Sequence, residues 1–204
     1  MPIDESFPLK EAESPYGQSK RQCEEVLKSL YDSGHSFKNI TLRYFNPIGA
    51  HPSALIGELP LGIPENLVPY ITQTAIGKRE CLTVFGDDYE TADGTCVRDY
   101  IHIMDLAEVH ITCLEKLISS NDDSFFKVYN VGTGKGTSVL ELINIFENVN
   151  DLKLNYKIGE RRKGDVVTAY ADTSKIKEEL NWSTKNSLKN ALKSAWNWEL
   201  NLNK

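Results

Sequence analysis

Short apolar runs alternate along the chain with longer amphipathic stretches, and the alternation predicts strands interleaved with helices. Ser14-Pro15 offers a helix start, and Tyr16 to Tyr31 reads as a helix ended by Ser33-Gly34. Asn39 to Phe45 reads as a strand broken by Asn46-Pro47. The segment 48–64 holds Gly49, Gly57, Gly62 and repeated prolines, which predicts a long loop of the kind that often belongs to a binding site. Asn66 to Lys78 is helical in pattern, Leu82 to Phe85 a short strand, and 86–95 a polar turn region dense in Asp and Gly. Val97 to Ile103 is expected to be extended, with Asp105 capping a helix that reaches about Ser119. Phe126 to Val131 reads as a buried strand, followed by Gly132-Thr-Gly-Lys-Gly136 and a helix from Ser138 to about Asn148. A strand near Leu154 to Ile158, a loop with Arg161-Arg162, and helices at Ser174 to Leu180 and Ser187 to Leu200 complete the pattern.

Such interleaving argues an α/β fold. Only about four or five strands are expected, and a parallel sheet must be covered on both faces, so the set looks too small to build one alone.

Composition adds limits rather than a function. With 40% hydrophobic and 25% charged residues among 204, the chain is ordinary for a globular protein. The 23 basic and 29 acidic residues leave a net charge of -6, and no stretch is rich enough in Lys and Arg to track a phosphate backbone, so no nucleic-acid partner is expected. Cys23, Cys81, Cys96 and Cys113 are widely and irregularly spaced, which argues against zinc and predicts reduced thiols in a cytoplasmic protein. The acidic start has no signal-like apolar core, and no run approaches the ~20 apolar residues of a membrane helix. No membrane partner is expected either.

The chemistry begins at Tyr16-Gly-Gln-Ser-Lys20, where a phenol and an ammonium stand on one face of a helix start. A lysine beside a tyrosine hydroxyl favours the phenolate and makes the tyrosine usable as an acid/base. Alone, the spacing also fits two ordinary surface residues. The strand ending Arg43-Tyr-Phe-Asn-Pro47 changes the picture, as do Gly62-Ile-Pro-Glu-Asn-Leu67, Val84-Phe-Gly-Asp-Asp-Tyr89, Asp93-Gly-Thr95, Val97-Arg-Asp-Tyr-Ile-His102 and Asp105-Leu-Ala107. In this order the motifs closely resemble the UDP-glucose (UDP-galactose) 4-epimerases of the extended short-chain dehydrogenase/reductases, over essentially the whole chain.

The resemblance implies a fold, a reaction and a site. The fold would be a partial Rossmann-type α/β arrangement with a smaller substrate-binding lobe. Residues 1–47 would be the end of the NAD-binding domain and 48–204 mainly the nucleotide-sugar lobe, with 97–150 returning to the Rossmann domain. Tyr16 would remove the proton from the sugar 4-hydroxyl while NAD takes the hydride from C4, Lys20 would support the phenolate and the nicotinamide ribose, and Tyr44 would lie beside the nicotinamide. For the UDP-sugar, Asn46 would bond the diphosphate and Asn66 and Leu67 would open a helix toward it. Thr83, Val84 and Phe85 would meet the uracil, Arg98 and Arg162 would clamp the diphosphate, and Asp165 would accept from a ribose hydroxyl. A homodimer through the helix of Tyr16 is implied in the same way. The family's Gly-x-x-Gly-x-x-Gly unit would lie upstream, so the isolated chain is expected to show negligible epimerase activity and not to retain NAD.

Several features depart from that pattern or resist it. Glu65 stands where the family commonly has Asn, and beside a diphosphate it would repel unless turned outward. Ala169 is small where a bulky family residue narrows the sugar pocket, so a complete enzyme is expected to accept UDP-N-acetyl sugars as well. His51, His102 and Asp87-Asp88 are assigned no chemistry. Gly132 to Gly136 has the wrong glycine spacing for a dinucleotide fingerprint and lacks a Walker Gly-Lys-Ser/Thr, so it reads as a tight turn. Two alternatives stay open: a nucleotide-sugar dehydratase or decarboxylase of the same superfamily, and a non-catalytic nucleotide-sugar binder.

Overall fold

The computed structural model describes residues 1–8, 12 and 14–204. The first half of the chain forms α1 (Pro15–Asp32), β1 (Lys38–Tyr44), β2 (Asn46–Ile48), α2 (Leu67–Ala75), β3 (Leu82–Phe85), β4 (Val97–Arg98) and β5 (Tyr100–His102). There follow α3 (Ile103–Ser119), β6 (Phe125–Val131), β7 (Thr137–Ser138), α4 (Val139–Asn150), β8 (Tyr156–Gly159), β9 (Thr168–Ala169), α5 (Ser174–Leu180) and α6 (Leu188–Leu202). The α/β reading holds.

Local chemistry explains most boundaries. Ser14 Oγ accepts from the Gly17 amide at 3.1 Å, and Pro15 fills a first-turn position whose N–H would have had no partner, so α1 starts where the sequence suggested. Ser138 Oγ accepts from the Glu141 amide at 3.0 Å and Glu141 reaches back to the Ser138 amide, a capping box that starts α4. The cap of α3 is a correction. His102, not Asp105, takes that place: its Nδ1 accepts from the Met104 amide at 3.0 Å. Asp105 lies inside the first turn, where its carboxylate accepts from the Lys185 and Asn186 amides at 3.2 and 3.1 Å and ties down the loop before α6.

The strand count is a second correction. The described residues hold nine strands in four small sheets instead of about four or five strands: β1–β6, β2–β5 and β3–β8, each parallel, and β7–β4–β9, antiparallel on one side of β4 and parallel on the other. The strands beyond the expected ones, β2, β7 and β9, are two or three residues long, too short to leave an alternation in the sequence. Nor does Asn46-Pro47 break the strand outright. The chain steps out for one residue, Phe45, and changes partner from β6 to β5, so Tyr44 pairs with Val131 and Asn46 with Tyr100.

Two clusters of buried apolar side chains support these ladders. In one, Val68 and Ile71 of α2, Leu82 and Val84 of β3, Leu142, Ile143 and Phe146 of α4, and Leu192 of α6 pack together. In the other, Ile101, Val109, Tyr129, Val131 and Ile176 join β5, β6, α3 and α5. By contrast α1 has no buried residue in its 18, and Val26 and Leu30 are exposed. Its side chains meet β1 through Glu24, whose carboxylate accepts from Arg43 Nε at 3.0 Å and from Arg43 Nη2.

Asp99 is fully buried, and among the described residues no basic side chain pairs with it. Its carboxylate accepts from the amide and hydroxyl of Thr133 at 2.8 and 2.6 Å, from the Gly134 amide at 3.0 Å and from the Ala171 amide at 3.2 Å. Gly132 is required by the same approach, since a Cβ there would come within 2.4 Å of Asp99 Oδ2. The glycine-rich turn thus spends its amides on a carboxylate of its own chain.

Asp99→Ala is expected to destabilise the protein by about 3 kcal/mol or more, because it strands several buried donors. Urea unfolding reads the effect as a lower midpoint, and a loss below about 1 kcal/mol would deny Asp99 this role. His102 gives a pH dependence. Burial holds its pKa below the ordinary value, and protonation of Nδ1 would remove the α3 cap. With the folded pKa depressed below the unfolded one of about 6.5, its contribution is present above that pH and fades as the pH falls through the folded value. Stability measured from pH 7.5 to 5 should therefore drop less in His102→Asn than in the parent, and parallel curves would contradict this.

Candidate functional site

One cavity of about 610 Å³ collects residues from β2, α2, β3, the 96–100 segment and the loop after β8, a volume in the range of small-molecule sites. Asn46 enters at the start of β2, Asn66 and Leu67 at the start of α2, and Thr83, Val84 and Phe85 along β3. Arg98 comes from β4, and Arg162 and Asp165 from the loop after β8. Nine residues that the sequence placed in a nucleotide-sugar pocket therefore line one space. Ala169 does not. It lies in β9 opposite Arg98 in the ladder, outside the cavity lining, and the cavity gives no argument for a widened sugar pocket.

The start of α2 presents unpaired donors. Asn66 is the N-cap but makes no side-chain cap bond; its Nδ2 donates instead to Glu58 Oε1 at 2.7 Å. The first-turn amides of Leu67 and Val68 are left without an intrahelical acceptor, an arrangement suited to an anionic oxygen. Glu65, which the sequence reading set aside, also lines the cavity and is exposed.

Two adjacent arginines are divided between two acids. Arg161 donates from Nε to Asp88 at 2.6 Å and lies over the Tyr89 ring, 4.2 Å from its centroid. That hydrogen bond holds the Asp88 carboxyl below its ordinary range. Arg162 turns into the cavity, donating from Nη2 to Asp165 Oδ1 at 2.8 Å, with its guanidinium 5.8 Å from the Phe85 centroid. Arg98 is fixed from behind, its Nη1 donating to the Val97 and Val166 carbonyls at 2.9 and 2.5 Å, while its Nη2 lies 3.8 Å from Asp165. The cavity therefore turns two guanidiniums toward the Asp165 carboxylate, with the exposed Glu65 carboxylate also in its lining.

Cys96 and Tyr100 line the cavity and were missed. The available signal was the two-residue period of an extended segment: Cys96, Arg98 and Tyr100 share one face, while Asp99 and Ile101 serve the interior. Burial pushes the Tyr100 phenol up to about 12, so it stays neutral in the cavity. All four cysteines are free.

Tyr16, Lys20 and Tyr44 lie outside that lining. Tyr16 is 69% exposed, and Lys20 Nζ lies over its ring, 5.3 Å from the centroid. Tyr44, 47% exposed, opens onto a separate shallow hollow shared with Ile3, Phe7 and Asn130. The structure thus gathers the expected UDP-sugar residues and leaves the expected catalytic pair on the open face of α1. His102 is satisfied at both nitrogens, by the Met104 amide and by Ser194 Oγ at 3.3 Å. Among the described residues no helix is long and apolar enough to cross a membrane, and no His, Cys, Asp and Glu group is placed to hold a metal ion.

Known proteins share this fold. The family model described as GDP-mannose 4,6 dehydratase matches residues 1–195. A UDP-glucose 4-epimerase of Bacillus subtilis is 49% identical over 198 residues, 97% of this chain and 57% of that protein. Among solved structures, a UDP-glucose 4-epimerase of Stenotrophomonas maltophila with bound NAD and formylated UDP-arabinopyranose superposes with a TM-score of 0.94 at 43% identity, covering 99% of this chain and 59% of that one. The Bifidobacterium longum enzyme in complex with NAD+ and UDP gives 0.92 at 42% identity, covering 98% and 59%. The chain spans under three-fifths of the length of these relatives. On its motifs, its Rossmann-type α/β architecture and these matches, the chain belongs to the GDP-mannose 4,6 dehydratase family of extended short-chain dehydrogenase/reductases, as a homologue of the UDP-glucose 4-epimerases.

Proposed function

We propose that this chain is the nucleotide-sugar-binding part of an NAD-dependent UDP-glucose 4-epimerase, carrying also the acid/base pair of the reaction. The observation that supports it best is the single cavity in which Asn46, Asn66, Thr83, Phe85, Arg98, Arg162 and Asp165 meet. In this reading Arg98, Arg162 and the first amides of α2 seat the diphosphate. The strand edge of Thr83 to Phe85 meets the uracil, and Asp165 accepts from a ribose hydroxyl.

Tyr16 accepts the proton of the sugar 4-hydroxyl and returns it at the end of the cycle. Lys20 supplies the positive charge that offsets the phenolate. When bound, NAD supplies the acceptor and return donor for the hydride at sugar C4. The residues present suit its nicotinamide end: among the described residues the Tyr16 hydroxyl and Lys20 ammonium have no hydrogen-bond partner to displace, and Tyr44 is open to solvent. The homodimer and the cytoplasmic location belong to the same proposal.

A second reading, a nucleotide-sugar binder without catalysis, is favoured by one observation, the position of Tyr16 and Lys20 outside the cavity lining. UDP-glucose given to a preparation that retains NAD separates the two, since UDP-sugar bound there with no turnover would favour the binder.

Arg98→Ala and Arg162→Ala should each weaken UDP binding by about tenfold or more in calorimetry, as removal of a charge-assisted bond to phosphate does. Unchanged affinity in both would remove the diphosphate seat. In a preparation that interconverts UDP-glucose and UDP-galactose, Tyr16→Phe should lower kcat by roughly a hundredfold or more with little change in UDP affinity. Retained turnover would discard Tyr16 as the base.

A further inference from the structure

Asp165 faces both arginines of the cavity at once. Its Oδ1 accepts from Arg162 Nη2 at 2.8 Å and from Nε at 3.3 Å, and lies 3.8 Å from Arg98 Nη2. The three side chains are held very differently. Asp165 is 12% exposed and Arg98 19%, whereas Arg162 is 60% exposed. Arg98 is anchored by two backbone carbonyls, while among the described residues Arg162 has only the carboxylate and the nearby Phe85 ring. Arg161 is paired with Asp88 and leaves this contest alone. The Arg162–Asp165 pair spans a tight turn closed by the Asp165 amide on the Arg162 carbonyl at 3.2 Å, with Gly164 at a φ of 87°. Side-chain rotation alone can part the two groups.

Resting on the reading that the arginines seat a diphosphate, we propose that Asp165 is a resident competitor, which holds Arg162 until a nucleoside diphosphate takes that guanidinium and offers Asp165 a hydroxyl in exchange. The carboxylate occupies the acceptor role that a phosphate oxygen would take. An anion that displaces it must leave a poorly exposed carboxylate without its main donor, and such a group is costly unless another donor arrives. A nucleoside diphosphate brings sugar hydroxyls. Inorganic pyrophosphate brings none. The exchange therefore selects against simple phosphates that would otherwise fill a cavity with two guanidiniums, and it couples diphosphate recognition to hydroxyl recognition through one residue.

The two ligands give opposite readouts. Calorimetric titration of the parent chain, Asp165→Asn and Asp165→Ser with inorganic pyrophosphate and with UDP should show pyrophosphate tightening by about fivefold or more in both variants, while UDP holds or weakens. The preference for UDP over pyrophosphate should then shrink by at least about fivefold. Glu65→Gln controls for charge, because it removes a lining carboxylate that has no ion pair among the described residues. Circular dichroism establishes which variants are folded, and the smaller serine serves if the amide is not tolerated. Pyrophosphate affinity unchanged or reduced in a folded Asp165 variant, or an equal gain in Glu65→Gln, would overturn the competitor role alone. A parent chain that binds neither ligand would overturn the diphosphate seat itself, and the competitor with it.

Discussion

A buried carboxylate held by backbone amides organises this molecule. Asp99 is satisfied by backbone amides of the Gly132 turn and by Ala171, and its own carbonyl accepts from the Asn46 amide at 3.0 Å. Three chain segments far apart in sequence are thereby fixed relative to one another: the end of β1 and start of β2, the exit of β6, and the stretch after β9. Burying an ion in this way is tolerable only when hydrogen bonds replace most of its hydration, and four donors do so here. Such an arrangement is strict, because loss of one donor exposes the rest to the full desolvation cost.

The strictness is transmitted to the cavity through strand geometry. Successive side chains of an extended segment point to opposite faces, so fixing Asp99 inward directs Arg98 and Tyr100 to the other side. Arg98 is further held by the Val97 and Val166 carbonyls, which leaves little freedom for its guanidinium. The opposite wall is less rigid. Arg162 sits on a loop, more than half exposed, with its position set by Asp165 and Phe85. A fixed arginine facing a movable one suits a ligand that must enter, be clamped and leave, since the movable partner can follow it without disturbing the ladder.

How much of this was legible in the sequence varied with the range of the interaction. Helix starts depend on a few adjacent residues, and Ser14-Pro15, Ser138 and Ser187 announced theirs. Asp105 failed as a cap because its carboxylate was claimed by the Lys185 and Asn186 amides about eighty residues away, a competition no local rule can see. β7 and β9 escaped for a similar reason: each has two residues and owes its conformation to a partner distant in the chain. Of the site, the polar and aromatic residues with known family counterparts were found through ordered motifs. Cys96 and Tyr100 were overlooked although the alternation around Arg98 pointed to them. Ala169 was included on resemblance, yet a ladder residue beside Arg98 need not reach the cavity that Arg98 lines.

The parts of the proposed machinery rest on unequal support, and the inequality is physical. Of the residues proposed to bind the UDP-sugar, Asn66 and Leu67 at the start of α2 and Thr83, Val84 and Phe85 on β3 stand on elements packed through buried apolar side chains of α2, β3, α4 and α6, so their relative positions are over-determined by packing. Tyr16 and Lys20 stand on a helix with no buried residue, joined to β1 by the Glu24–Arg43 pair and by ring contacts from Tyr31 to Phe37 and Phe126 at 6.4 and 6.0 Å. Partly exposed ion pairs and edge contacts of this kind contribute little compared with apolar burial. An acid/base needs placement to within a fraction of an ångström of the proton it moves. In this chain the packing that could supply such precision surrounds the proposed diphosphate seat, while the proposed base depends for its placement on whatever covers the open face of α1.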